Sequence, residues 1–98
     1  NHAFLPEPGG WRLAPAYDMN PVAWGDGLSL NISDVDNAQE LALVREVAPY
    51  FRVSEARAHA IVDEVVGAVR DWRGVAERWG IGREERERMA GAFRVADG

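Results

Sequence analysis

The chain has no cysteine and no lysine. Without cysteine there is no disulfide framework, no thiolate zinc site and no cysteine nucleophile. That absence fits a reducing compartment, so a cytoplasmic setting is expected. Basic residues are the minority charge, eleven against sixteen acidic, for a net charge of -5. A chain of that sign repels phosphate backbones, so direct nucleic-acid binding is not expected. Long apolar runs are missing too. None approaches the ~20 residues that span a bilayer, and no membrane partner is expected. The opening Asn1-His2-Ala3-Phe4-Leu5-Pro6 has neither the basic start nor the apolar stretch of a signal peptide. Phosphate-cradling G-x-G-x-x-G and Walker loops, the G-x-S-x-G elbow and H-E-x-x-H are all absent. With only His2 and His59, a histidine-built zinc site has too few ligands. His59, in Ala58-His59-Ala60, reads as a helix-surface residue.

What remains is 98 residues, 47% hydrophobic and 28% charged. That is enough for one small domain or a piece of a larger one. A chain of this size hides roughly 60–70% of its unfolded surface on folding, so its core is thin. It opens on Asn rather than Met, and a segment of a longer protein is expected.

Two regions differ in composition. Residues 1–37 hold four of the five prolines and two of the four tryptophans; residues 38–98 are rich in Ala, Arg, Glu and Val. The first reads as strands and turns, the second as helices. Ala3-Phe4-Leu5 and Trp11-Arg12-Leu13 flank Pro6-Glu7-Pro8-Gly9-Gly10, a hairpin signal with its prolines in the connection. Leu28-Ser29-Leu30-Asn31-Ile32-Ser33 alternates apolar and polar and predicts another short strand. It is bounded by Gly25-Asp26-Gly27 and Asp34-Val35-Asp36-Asn37. Asn37 and Glu40 have capping-box spacing, predicting a helix from about Ala38 to Pro49. On it Leu41, Val44 and Ala48 share a face flanked by Leu43, Val47 and Phe51. Ser54 is a good N-cap for the next helix, whose stripe runs Ala58, Ile61, Val62, Val65, Val69, Trp72. Gly74 is a candidate break and Gly80 a candidate C′ residue. A last helix is predicted over about Arg83 to Arg94, with Met89, Ala92 and Phe93 inward and the Arg/Glu run 83–88 wet. Trp72 and Trp79, two turns apart, read as core; Trp11 and Trp24 could pack or bind.

One constellation carries chemistry. Asn1-His2-Ala3-Phe4-Leu5 is followed by a Gly-rich turn, then by Gly10-Trp11-Arg12-Leu13-Ala14-Pro15-Ala16-Tyr17-Asp18-Met19-Asn20-Pro21. This resembles the kinase core of HipA-like proteins, the toxins of type II toxin–antitoxin pairs. In that family an Asn closes the catalytic loop, and an L-x-P-x-Y-D segment supplies the Asp that does the work of the DFG Asp of protein kinases. The matching positions are Asn1 and Asp18. The helices after Asp34 resemble the family's C-terminal region, so the likeness runs through the whole chain, with its specific part in residues 1–21.

The resemblance implies a mainly α fold with a short N-terminal β-hairpin (α+β), part of the C-terminal lobe of a protein-kinase-like fold. Residues 1–37 are its hairpin and metal-loop segment, and residues 38–98 its helical subdomain. It implies Mg²⁺ and ATP as cofactors of the full-length protein, a protein serine or threonine as acceptor, and a DNA-binding antitoxin as partner. Asn1 and Asp18 are the implied metal ligands. Phosphoryl transfer needs Mg²⁺ held by hard oxygens, and a ribbon out along 1–5 and back along 11–17 brings these two side chains to one end.

The catalytic Asp of a kinase loop lies five residues before the Asn, upstream of residue 1, as do the phosphate-covering loop and the strand lysine. The 98 residues alone therefore contain no catalytic residue, and are expected to be inactive, to hold no cofactor and to self-associate through uncovered apolar surface. The competing reading is a stand-alone helical protein-interaction module without catalysis. A DNA-binding domain, the third, runs against the net charge.

Overall fold

The computed structural model describes residues 1–25 and 27–96. Asp26, in the expected Gly25-Asp26-Gly27 turn, lies outside the described residues. Two strands lead, β1 (Phe4–Glu7) and β2 (Gly10–Leu13), followed by four α-helices, α1 (Leu41–Val47), α2 (Glu55–Val69), α3 (Trp72–Arg78) and α4 (Arg83–Met89). Short 3₁₀ turns extend α1 over Ala48–Phe51 and α4 over Ala90–Phe93. A mainly helical body behind a two-stranded ribbon is the expected fold class.

The ribbon follows from its turn. Pro8 and Gly9 are the two connecting residues of an antiparallel pair in register Phe4↔Leu13, Leu5↔Arg12, Pro6↔Trp11, Glu7↔Gly10. Gly9 has φ 94°, so Pro at the first turn position and a positive-φ glycine at the second match a type II turn. Pro6 lies inside β1, not in the connection. The ladder tolerates it because the Ala14 amide donates to the Ala3 carbonyl at 2.8 Å. Counting from that bonded pair, alternation makes Pro6↔Trp11 a non-hydrogen-bonded pair that needs no N–H. Phe4, Pro6, Trp11 and Leu13 consequently share one face, while Glu7 and Arg12 pair on the other at 2.5 Å. Every residue of both strands is exposed.

The strand expected over Leu28–Ser33 does not form. The Ile32 and Ser33 amides both donate to the Asp36 carbonyl, at 2.7 and 3.1 Å. The Ser33 hydroxyl accepts from the amides of Val35 and Asp36. Short polar side chains thus offer the backbone a local alternative to a ladder, and only an isolated Gly27↔Ala38 bridge remains. The capping box does not form either. Asn37 donates its amide to the Leu28 carbonyl at 2.6 Å, and Asp36 accepts from the Ala38 amide. With both committed to the loop, α1 starts at Leu41, three residues later than predicted, with Glu40 as an N-cap that makes no side-chain cap bond.

The Ser54 hydroxyl caps α2, accepting from the Arg57 amide at 3.3 Å. Gly80, at φ 77°, closes α3. Its amide donates to Glu77 and that of Ile81 to Ala76, the paired bonds of a Schellman motif. Gly74 breaks nothing: it lies inside α3, where Asp71 fills the space a Cβ would need. The interruption falls at Arg70–Asp71 instead.

Among the described residues, Leu43, Val47, Ala48, Ala58, Val62, Trp72 and Ala96 are the buried apolar ones. Along α1 and its 3₁₀ extension, Leu43 and Val47 of the expected flank and Ala48 of the expected face are buried, whereas Val44 of that face and Phe51 of that flank are exposed. Trp72, 7% exposed, stacks on Phe93 with centroids 4.3 Å apart. Trp79 is 82% exposed, against the expectation of a core role. α3 ends at Arg78, so Trp79 sits on the cap rather than on the helix face that carries Trp72. Arg86 is drawn out of the predicted wet run. Only 18% of its side chain is exposed, and it reaches the Glu77 carboxylate at 3.2 Å and the Arg73 carbonyl at 3.4 Å. Met89, Ala92 and Phe93 are half-buried, as expected of inward positions.

The radius of gyration is 15.9 Å, against about 13 Å for a compact chain of this length. The accessible surface is 8035 Å², where about 5,500 Å² would suit a folded monomer of this mass.

Candidate metal site at the base of the hairpin

Below Leu13 the ladder ends, but side chains keep the ribbon closed. The Tyr17 hydroxyl donates to the His2 carbonyl at 3.3 Å. The Asn1 side-chain amide donates to the backbone carbonyl of Asp18 at 3.1 Å. The two residues singled out as ligands therefore meet, seventeen positions apart in the chain, because the Pro8-Gly9 turn fixes the register that returns residue 18 to residue 1. The contact runs from the Asn1 amide to the main chain of Asp18. The Asp18 carboxylate accepts from Asn20 Nδ2 at 3.1 Å.

Asp18 has φ 51°, in the left-handed region. Asp tolerates it better than most residues, and a non-glycine residue is held there when its surroundings over-determine the backbone. Here Asn1 bonds the Asp18 carbonyl and Tyr17, next to it, ties the chain to His2 across the ribbon, while Asn20 bonds the side chain. Tyr17 and Asn20 were not among the residues predicted for the site. The Asp-x-Asn spacing was the available signal for the second, since short amides bond to neighbours two residues away.

Chemically the site offers hard oxygen. An Asn that donates through Nδ2 still presents Oδ1, and a carboxylate with one bond from Asn20 has further lone pairs. That donor set suits Mg²⁺, which commonly takes one or two protein ligands and fills the remainder with phosphate and water. Both residues are exposed. Among the described residues no group of three or more His, Asp or Glu is placed to hold a metal.

Elsewhere, His59 bonds through Nδ1 to the Glu55 carbonyl on the α2 surface, the structural role expected of it. Trp11 and Trp24 are exposed. A cavity of about 410 Å³ opens between the end of α2, α3 and α4, walled by Trp72, Trp79, Met89 and Phe93 among others, with Arg86 its one charged residue. It offers an apolar surface and no general acid, base or nucleophile. No helix among the described residues is long and apolar enough to cross a membrane.

A two-stranded ribbon ahead of a mainly helical body matches the coarse fold class that the resemblance implied. The family model of the HipA-like C-terminal domain matches residues 1–73, from the hairpin through α2 and into α3. The chain belongs to the HipA-like C-terminal domain family. Neither the curated proteins nor the solved structures contain a significant match to it.

Proposed function

We propose that this chain is part of a HipA-like serine/threonine protein kinase, in which Asn1 and Asp18 hold the Mg²⁺ that accompanies ATP. The observation that carries this reading is the closure of the ribbon by Asn1 on Asp18, within a segment covered by the family match. Bound there, Mg²⁺ would neutralise charge on the β- and γ-phosphates as the γ-phosphoryl group passes to a protein hydroxyl. The chain's own contribution is positional. The turn sets the register, Asn1 holds the Asp18 carbonyl and Tyr17 the neighbouring strand, and the amide and carboxylate at the base of the ribbon would hold the cation. The base that takes the hydroxyl proton and the cradle for the nucleotide belong to other parts of such a kinase. We assign the uncovered Phe4–Pro6–Trp11–Leu13 face to contact with those parts. A protein substrate, an antitoxin partner and a cytoplasmic setting complete the proposal.

The test uses the full-length kinase. Asp18→Asn, which keeps shape and removes charge, should lower Mg²⁺-dependent phosphoryl transfer from ATP at least a hundredfold, on the order of 3 kcal/mol of lost transition-state stabilisation. Thermal stability should be unchanged. Equal activity in the two proteins would reject the metal role. The half-open cavity beside Trp79 favours the rival reading, a protein-interaction module, in which Asp18→Asn changes nothing and Trp79→Ala removes binding to a partner.

A further inference from the structure

We infer that Asn20 is a positioning residue for the Asp18 carboxylate. This deepens the proposed metal role and rests on it. Two groups fix the Asp18 main chain: the Asn1 amide on its carbonyl and Tyr17, next to it, on His2. Neither bond constrains the carboxylate, which is exposed and free to turn about two side-chain torsions. Asn20 Nδ2 donates to Asp18 Oδ1 at 3.1 Å, the one side-chain bond among the described residues that restrains that group directly. The donor comes from two residues further along, so the left-handed turn at Asp18 sets where Asn20 stands. Pro21 follows, and the residue before a proline is confined to extended backbone, which narrows the choice again. One carboxylate oxygen is thereby engaged, and the other keeps its lone pairs for a cation. An exposed carboxylate with no such restraint would have to give up rotamer freedom each time it met a metal.

Manganese(II) added to the ¹⁵N-labelled full chain reads this without any enzymatic turnover, through paramagnetic broadening of the resonances of residues 1, 17, 18 and 20. Side-chain coupling constants of Asp18 report its χ1 populations in the absence of metal. Asn20→Ala should spread Asp18 over several χ1 rotamers and raise the manganese concentration for half-broadening about three- to tenfold, as expected for the loss of one solvent-exposed hydrogen bond. Asn20→Ser, which keeps a donor, should recover part of that loss. Asp18→Asn should abolish the local broadening altogether. If Asp18→Asn abolishes broadening while Asn20→Ala leaves both χ1 and the half-broadening point unchanged, the positioning role is overturned and the metal role stands. If Asp18→Asn itself has no effect, the metal role falls, and the inference with it.

Discussion

The helical region and the ribbon region are held together by different forces. From Leu41 onward, burial does the work. Each of the seven buried apolar residues lies in this part, and Trp72 lies between Phe93 and the Arg73 guanidinium, which sits 4.3 Å above its ring. Among the described residues from Asn1 to Glu40, none is buried. That region is shaped by hydrogen bonds and turn chemistry: a Pro-Gly reversal, a ladder of four residue pairs, and Asn, Asp and Ser side chains that bond to nearby main chain. An isolated hairpin is marginal in water, and bonds exposed to solvent each contribute little net stability. The contrast sets a scaffold held by burial beside a segment whose geometry is specified locally and whose apolar face is exposed.

The sharpest way to break this comparison is to exchange the fates of two tryptophans. Trp72→Ala should destabilise the protein by about 3–5 kcal/mol, through lost burial and the cavity left behind. Loss of helical circular dichroism at a lower denaturant midpoint would report it. Trp11→Ala, on the exposed ribbon face, should change that midpoint by no more than about 0.5 kcal/mol. Equal effects of the two would mean that the ribbon is packed after all. The next test concerns the seam. A Cβ at Gly91 would lie 2.7 Å from the Ala23 carbonyl oxygen, too close to backbone to relax by a rotamer change. Gly91→Ala should cost about 1–3 kcal/mol as an overpacking error. It should also shift the amide resonances around Ala23, while the pairing of Phe4 with Leu13 persists. The smallest expected effect is at the α2 cap. Ser54→Ala should cost about 1 kcal/mol, measured by thermal melting, with the Asn1–Asp18 closure untouched.

Much of this was legible where the rule is local. Ser54 ahead of Glu55 and Gly80 after Trp79 each specify a cap from two or three residues and occur as read; the hairpin also occurs, with its connection shortened from Pro6–Gly10 to Pro8-Gly9. The meeting of residue 1 with residue 18 was legible from a ribbon running out along 1–5 and back along 11–17. The sequence misled where a local pattern competed with another local pattern. Leu28–Ser33 alternates like a strand, yet Ser33 and Asp36 hold the backbone in turns. Asn37 has the spacing of a cap but bonds Leu28 instead. Helical periodicity also fails at helix ends. Trp79 shares a face with Trp72 only if α3 runs through it, and Gly80 stops the helix first. At the site, the restraint on Asp18 from Asn20 was present in the spacing but indistinct from an ordinary turn.

The placement of Pro6 has one more effect. In a two-stranded ribbon both outer borders carry unsatisfied main-chain groups and can template further strands. Residues of non-hydrogen-bonded pairs turn their amides outward, and on β1 one of those is Pro6, which has none to offer. On β2 the equivalent residues, Trp11 and Leu13, keep theirs. Any strand recruited to this ribbon, from a neighbouring part of the protein or from an aggregating copy, is thus guided to the β2 border, and growth of the sheet is one-sided.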